Sequence, residues 1–226
     1  MTVEKQSAGY TFVVMDPESY PYGGNTFEDE DDIKRAHWTG FSPGELAVDV
    51  GCAWGGYALL ALAQGAGVLA FDTTEDAERV LMANVTANNT DWLDRYTFVR
   101  AALWDGKTDY PEWMRKEIFE VRYPTGGAVV LTALDAVVSD LGIPRVDRMK
   151  VDVEGAELGV LRGAEAVLRK HHPRLLIEDH AGIYETVTRG ESTDPLLRFL
   201  SEVGYADVAE QWWGDRPGGR SFIIAK

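Results

Sequence analysis

The 226 residues contain a single cysteine, Cys52, which excludes an intrachain disulfide and a cysteine-built metal centre and points to a reducing compartment. Basic residues are scarce too: 22 Lys and Arg stand against 37 Asp and Glu, a formal net charge of −15. Binding a nucleic acid needs clustered cations that displace counterions from phosphates, so a nucleic-acid partner is not expected. Long hydrophobic runs are missing. The most apolar stretch, residues 57–66, is too short to span a bilayer, and the polar residues 1–9 lack the pattern of a secretory leader. These absences lead to the expectation of a cytoplasmic protein with no membrane partner, in which the N-x-T sequons at Asn84 and Asn88 carry no glycan. No repeat or low-complexity tract interrupts the chain.

What is present is an ordinary globular composition, 45% hydrophobic and 26% charged, in a chain long enough to bury a sizeable core. Its organising stretch is Val48-Asp49-Val50-Gly51-Cys52-Ala53-Trp54-Gly55-Gly56. This reads as a strand, a tight turn and the start of a helix over residues 57–64. Glycines at such a turn let backbone N–H groups and a helix N-terminus approach a ligand closely. Upstream, residues 1–10 read as frayed, Thr11-Phe12-Val13-Val14-Met15 as an apolar strand-like segment, and residues 33–39 as a helix closed by Gly40. Residues 1–40 are thus an N-terminal extension whose aromatic and acidic part, from residue 20, is either a solvated loop or a substrate flap. Downstream, strands at 68–71, 96–99, 148–153 and 174–177 alternate with helices at 75–88, 134–141, 157–170 and 195–203. Residues 105–125 carry no assignable pattern. Residues 206–210 and 221–225 read as a terminal antiparallel hairpin. The alternation predicts a single α/β domain over 41–226, a Rossmann-like, doubly wound, mainly parallel sheet.

In such sheets ligands bind at the C-terminal ends of the strands. That edge collects Asp49, Gly51, Asp72, Asp152, Glu154, Glu178, Asp179 and His180. Asp72 lies about twenty residues beyond the glycine turn, where a carboxylate meets a ribose, although it could instead cap the following helix. Nucleotide and S-adenosylmethionine sites share this geometry. The turn does not satisfy G-x-G-x-x-G, because Ala53 stands where a second glycine would admit a pyrophosphate, and Trp54 is bulky. Asp49 also suits a cationic ligand better than a pyrophosphate. S-adenosylmethionine is therefore favoured over NAD(P), with an oxidoreductase or a non-catalytic S-adenosylmethionine-binding protein as alternatives.

The chain resembles the FkbM-type methyltransferases of the class I S-adenosylmethionine-dependent fold. The resemblance runs over residues 41–179 and rests on Pro43-Gly44 before the turn, Ala70-Phe71-Asp72, Asn84 and Asn88, and Leu134-Asp135. It rests most specifically on Lys150-Val151-Asp152-Val153-Glu154-Gly155-Ala156-Glu157, with Val160-Leu161-Arg162-Gly163 and residues 173–178 beyond it. Cys52, Ala53 and Asp72 depart from the family's usual Ala, Asn and Glu. The resemblance implies O-methylation of a small-molecule hydroxyl on a sugar or glycosylated natural product. The cofactor contacts it implies are Asp49, Gly51, Cys52, Gly55, Asp72 and Thr73, with Ala102 and Leu103 flanking the adenine and Asp152 near the methionine ammonium. A hydroxyl needs a base or a cation to become a nucleophile. His180, with Asp152, is the catalytic candidate. Asp152, Glu178 and Asp179 are the candidate ligands of a Mg²⁺, a set resembling that of related sugar O-methyltransferases. Lys150 shares a strand face with Asp152 and is expected to pair with it. His37, His171 and His172 read as surface residues without partners. Self-association into a homo-oligomer is left open.

Overall fold

Most apolar segments fold where their spacing predicts in a computed structural model that describes residues 2–16, 30–107, 129–180, 194–213 and 220–226. Contacts divide the chain into two units, Met1–Arg100 and Ala101–Lys226. Most of the candidate flap, most of residues 105–125 and the connection of the terminal hairpin lie outside the described residues. Among those described, no helix is long and apolar enough to cross a membrane.

The first unit opens with a hairpin, which corrects the expectation of a frayed start. Strand β1 (Thr2–Ser7) pairs antiparallel with β2 (Tyr10–Met15) across Ala8-Gly9, whose φ values of 48° and 91° are those of a tight two-residue hairpin turn. Helix α1 (Asp31–His37) ends at Trp38, whose indole N–H donates to the Tyr57 carbonyl at 3.0 Å. Then follow β3 (Leu46–Val50), α2 (Gly56–Ala63), β4 (Gly67–Asp72), α3 (Glu75–Asn88) and β5 (Tyr96–Arg100). The strands β3, β4 and β5 run parallel, in the order of the sequence, with Val48 opposite Leu69 and Ala70 opposite Phe98. Seven of the eight residues of α2 are buried, which is why that segment is apolar all round. Two asparagines of α3 complete the hairpin edge. Asn84 Oδ1 accepts from the Met15 N–H at 2.7 Å, and Asn88 accepts from the Val13 N–H at 2.9 Å while donating to the Val13 carbonyl at 2.7 Å. The side chains thus stand in for a neighbouring strand.

The second unit starts with a short parallel pair, β6 (Ala102–Leu103) and β7 (Leu131–Thr132), followed by α4 (Leu134–Asp140) and β8 (Arg148–Val151). The single helix expected over 157–170 is instead two, α5 (Glu157–Arg162) and α6 (Glu165–His171). Gly163 stands at the break, where a Cβ would lie 1.9 Å from the Trp104 carbonyl oxygen, so only glycine fits there. The amides that open α6 are satisfied from a distance, Ala166 N–H and Val167 N–H both donating to the Asp135 carboxylate at 2.9 Å. Strand β9 (Arg174–Asp179), helix α7 (Asp194–Glu202) and the hairpin β10 (Val208–Trp213) and β11 (Arg220–Ala225) complete the unit. Its strands lie in the order β10-β11-β9-β8, with β8 and β9 parallel and β11 inserted antiparallel beside β9. The expected terminal hairpin is thus present, with Val208 opposite Ala225.

Candidate active site

In the first unit the strand β3 ends on the glycine turn. Gly51, Ala53 and Gly55 all have positive φ, at 76°, 45° and 90°. Ala53 therefore takes a left-handed conformation that costs a residue with a Cβ about 1–2 kcal/mol. Backbone bonds fix the turn against β4: Gly51 N–H and Cys52 N–H both donate to the Phe71 carbonyl, at 2.9 and 3.0 Å, and Gly55 N–H donates to the Cys52 carbonyl at 2.8 Å. Gly55 is also pressed by α3, since a Cβ on it would lie 2.1 Å from Leu81 Cδ1. Asn84 Nδ2 donates to the Trp54 carbonyl at 3.0 Å. One asparagine thereby ties the turn and the hairpin to the same helix.

Asp72 ends β4 and faces this turn. Its Oδ2 accepts from the Ala53 N–H at 3.0 Å, while Oδ1 accepts from Thr73 N–H at 2.8 Å and from both Thr74 N–H and Thr74 Oγ1 at 3.1 Å. The cap of α3 is Thr74, whose Oγ1 accepts from Ala77 N–H at 3.1 Å. Asp72 therefore stands before the cap and bridges it to the turn. Burial holds its carboxyl above the ordinary value, against these hydrogen bonds, which pull it down. Asp49 and Cys52 are buried. The six residues expected to contact the cofactor in this part of the chain, Asp49, Gly51, Cys52, Gly55, Asp72 and Thr73, all fall on β3, the turn it enters, or the end of β4.

The second unit gathers its charge at the ends of β8 and β9. Buried Lys150 donates to Asp152 Oδ2 at 2.9 Å, the pairing that the two-residue period predicts. Glu154, with φ 56°, and Gly155 then fold the chain back so that Glu157 Oε1 accepts from the Val153 and Gly155 amides at 3.3 and 3.0 Å. The same oxygen lies 2.8 Å from His180 Nδ1. The other ring nitrogen, Nε2, is approached by Asp152 Oδ1 and Glu154 Oε2 at 3.8 Å and by Glu178 Oε1 at 3.7 Å. Burial alone would lower the imidazole's pKa, but Glu157, Asp152 and Glu178 together raise it to about 10. The surrounding carboxylates thus favour the charged imidazole. The Asp152 carboxyl, which burial would raise, is held below its ordinary value by Lys150 and His180.

Asp152, Glu178 and His180 bring one ligand atom each within 4.8 Å of one another. Asp179, expected beside Glu178 as a metal ligand, is buried and follows it on β9, where the two-residue period turns neighbours to opposite faces. The convergent trio therefore contains His180 in the place expected for Asp179. Ala102 and Leu103 are buried in β6, and Ala102 N–H donates to the Val130 carbonyl at 2.9 Å. The reading of His171 and His172 as unpartnered is corrected: His171 Nδ1 accepts from Val146 N–H at 3.2 Å, and His172 stacks on Tyr205 with ring centroids 4.2 Å apart. Glu157 carries a role that sequence reasoning missed, although its place in the Lys150–Glu157 run was the available signal.

Three solved structures share the fold. The FkbM methyltransferase from Methylobacillus flagellatus KT superposes with a TM-score of 0.60 at 18% identity, covering 93% of this chain and 50% of that one. This chain therefore spans half the length of that relative. TYW2 from M. jannaschii, solved with AdoMet, gives a TM-score of 0.56 at 12% identity over 99% of this chain and 84% of that one. Precorrin-6y C5,15-methyltransferase from Geobacter metallireducens GS-15 gives 0.52 at 13% identity over 90% and 91%. No curated protein matches the sequence. Three parallel strands in one unit, and in the other a parallel pair with an inserted antiparallel hairpin, agree with these folds. The sequence profile of the methyltransferase FkbM domain matches residues 57–206, starting just after the glycine turn. That match takes in well over half of the chain, which therefore belongs to the FkbM methyltransferase domain family of S-adenosylmethionine-dependent methyltransferases.

Proposed function

We propose that the protein transfers a methyl group from S-adenosylmethionine to a hydroxyl of a small molecule, a sugar or glycosylated natural product, with a divalent cation, Mg²⁺ in the first instance, assisting at the acceptor. Bound S-adenosylmethionine would supply an electrophilic methyl carbon on a sulfonium centre. On this reading the turn residues Gly51, Cys52 and Gly55 admit the cofactor's backbone-facing side. Asp49 offers a buried negative charge to its cationic end, and Asp72 and Thr73 meet its ribose. Ala102 and Leu103 provide an apolar wall for the adenine.

The observation that carries the oxygen-directed reading is the state of the charged cluster on β8 and β9. A neutral hydroxyl needs either a base or a cation. Asp152 is held below the ordinary carboxylate value by Lys150 and His180, which makes it a poor base, and His180 is committed through Nδ1 to Glu157. The carboxylates Asp152 and Glu178, by contrast, converge with hard oxygen donors of the kind Mg²⁺ takes. That cation would lower the cost of forming an alkoxide beside them.

The test is a mass-spectrometric screen of glycosides and simple polyols with S-adenosylmethionine, run with Mg²⁺ and with a chelator. The proposal expects O-methylated product that disappears on chelation. Methyl groups found only on nitrogen or carbon acceptors would overturn the oxygen assignment, and undiminished turnover with chelator would remove the cation.

A further inference from the structure

We infer that the cation site of this protein is a mixed nitrogen–oxygen site, in which His180 Nε2, Asp152 Oδ1 and Glu178 Oε1 hold a first-row transition-metal ion in preference to Mg²⁺. The inference rests on the divalent-cation reading above and deepens it. Three features of the geometry carry it.

The donor atoms are already spaced for one ion. His180 Nε2 lies 3.8 Å from Asp152 Oδ1 and 3.7 Å from Glu178 Oε1. Two ligands each about 2.1 Å from a shared ion stand about 3.4 Å apart at a tetrahedral angle and about 4.2 Å apart when opposite. The two nitrogen–oxygen spacings fall between those limits, and all three donor atoms lie within 4.8 Å of one another.

Two of the three ligands are held by a second partner. His180 presents Nδ1 to Glu157 Oε1 at 2.8 Å, the carboxylate–histidine arrangement that fixes a metal-binding ring with Nε2 forward. Glu157 is fixed in turn by the amides of Val153 and Gly155. Lys150 takes Asp152 Oδ2 at 2.9 Å, so Oδ1 is the oxygen turned to the site. Glu154 Oε2, at 3.8 Å from Nε2, places a further carboxylate within reach.

The donor chemistry sets the ion. Mg²⁺ takes oxygen ligands and keeps much of its water, whereas an imidazole nitrogen suits zinc, copper, iron or nickel. His180 and Glu178 are also buried, at 2% and 1% exposure, in surroundings poorly suited to a heavily hydrated ion.

The test titrates chelator-treated protein with ZnCl₂ and separately with MgCl₂, by calorimetry. The variants are His180→Gln, Glu157→Gln and, as a surface control, Asp76→Asn. The inference expects one Zn²⁺ per chain, bound at least about tenfold more tightly than Mg²⁺. His180→Gln should lose that preference, Glu157→Gln should weaken Zn²⁺ by about 10–100-fold, and Asp76→Asn should change nothing. Thermal melts of each variant without metal establish that it is folded, and Glu157→Gln keeps the test open should His180→Gln not fold. Equal binding of both ions with His180→Gln and Glu157→Gln unaffected would overturn the nitrogen ligand and leave the Mg²⁺ reading standing. Absence of any bound divalent ion in the unaltered protein would overturn both.

Discussion

Replacing Gly55 with alanine places a methyl group where two separate constraints forbid one, and the two can be measured apart. The first is backbone conformation: φ at Gly55 is +90°, which costs a residue with a Cβ about 1–2 kcal/mol. The second is space. The added Cβ would lie 2.1 Å from Leu81 Cδ1 and 3.2 Å from Leu81 Cγ, an overpacking that costs about 1–3 kcal/mol in a filled core. Gly55→Ala should therefore destabilise the protein by about 2–5 kcal/mol, read as a lower urea midpoint with an unchanged slope. Only the second constraint involves a side chain. Leu81→Ala, which by itself costs about 2–5 kcal/mol, removes the obstructing methyls and leaves the backbone strain in place. The double variant should accordingly be less destabilised than the sum of the singles by about 1–3 kcal/mol. The affinity for S-adenosylmethionine should follow the same pattern, falling in Gly55→Ala and partly returning with Leu81→Ala, because Gly55 opens α2 at the turn. Strict additivity, or a cost below about 1 kcal/mol for Gly55→Ala, would refute the reasoning that Leu81 shapes this turn.

Two further outcomes follow from local geometry. Ala53→Gly relieves the left-handed strain at φ 45° while loosening the unfolded chain, and should raise stability by about 0.5–1 kcal/mol in the same urea assay; a loss of stability would contradict the strain. His171 is held below its ordinary value of 6.5 by burial and by the Lys170 cation. A lowered native value means that stability is full above pH 6.5 and is lost as the pH falls, because the unfolded chain takes up the proton first. His171→Asn, which keeps an acceptor for the Val146 N–H, should flatten the melting temperature between pH 7 and pH 5, and an unchanged pH profile would count against the assignment.

The parts of this protein legible in its sequence are those set by period and local chemistry. Leu46–Val50 and Glu75–Asn88 fold over the residues predicted, because continuous apolar sequence and a helical stripe leave few alternatives. The Lys150–Asp152 pair follows from the strand period alone. What escaped reading depends on contacts between distant segments. Gly163, at the break between α5 and α6, packs against the carbonyl of Trp104, fifty-nine positions earlier in the chain, and the N-terminal hairpin finds its second edge in asparagines of α3. Asn84, which carries part of the family resemblance, binds both Met15 and Trp54. The role of Glu157 required a left-handed Glu154, which no propensity signals. That fold-back turns a row of acids into a holder for His180.

The central claim is that the glycine turn and Asp72 form an S-adenosylmethionine site, and calorimetric titration tests it most directly. The unaltered protein should bind S-adenosylmethionine and not NAD⁺. Asp72→Asn retains an acceptor for the Thr73 and Thr74 amides but lacks the charge that strengthens ribose hydroxyl bonds, and should bind about 10–150-fold more weakly with little change in melting temperature. Equal affinity in the two proteins, or no binding of S-adenosylmethionine to the unaltered one, would contradict the account.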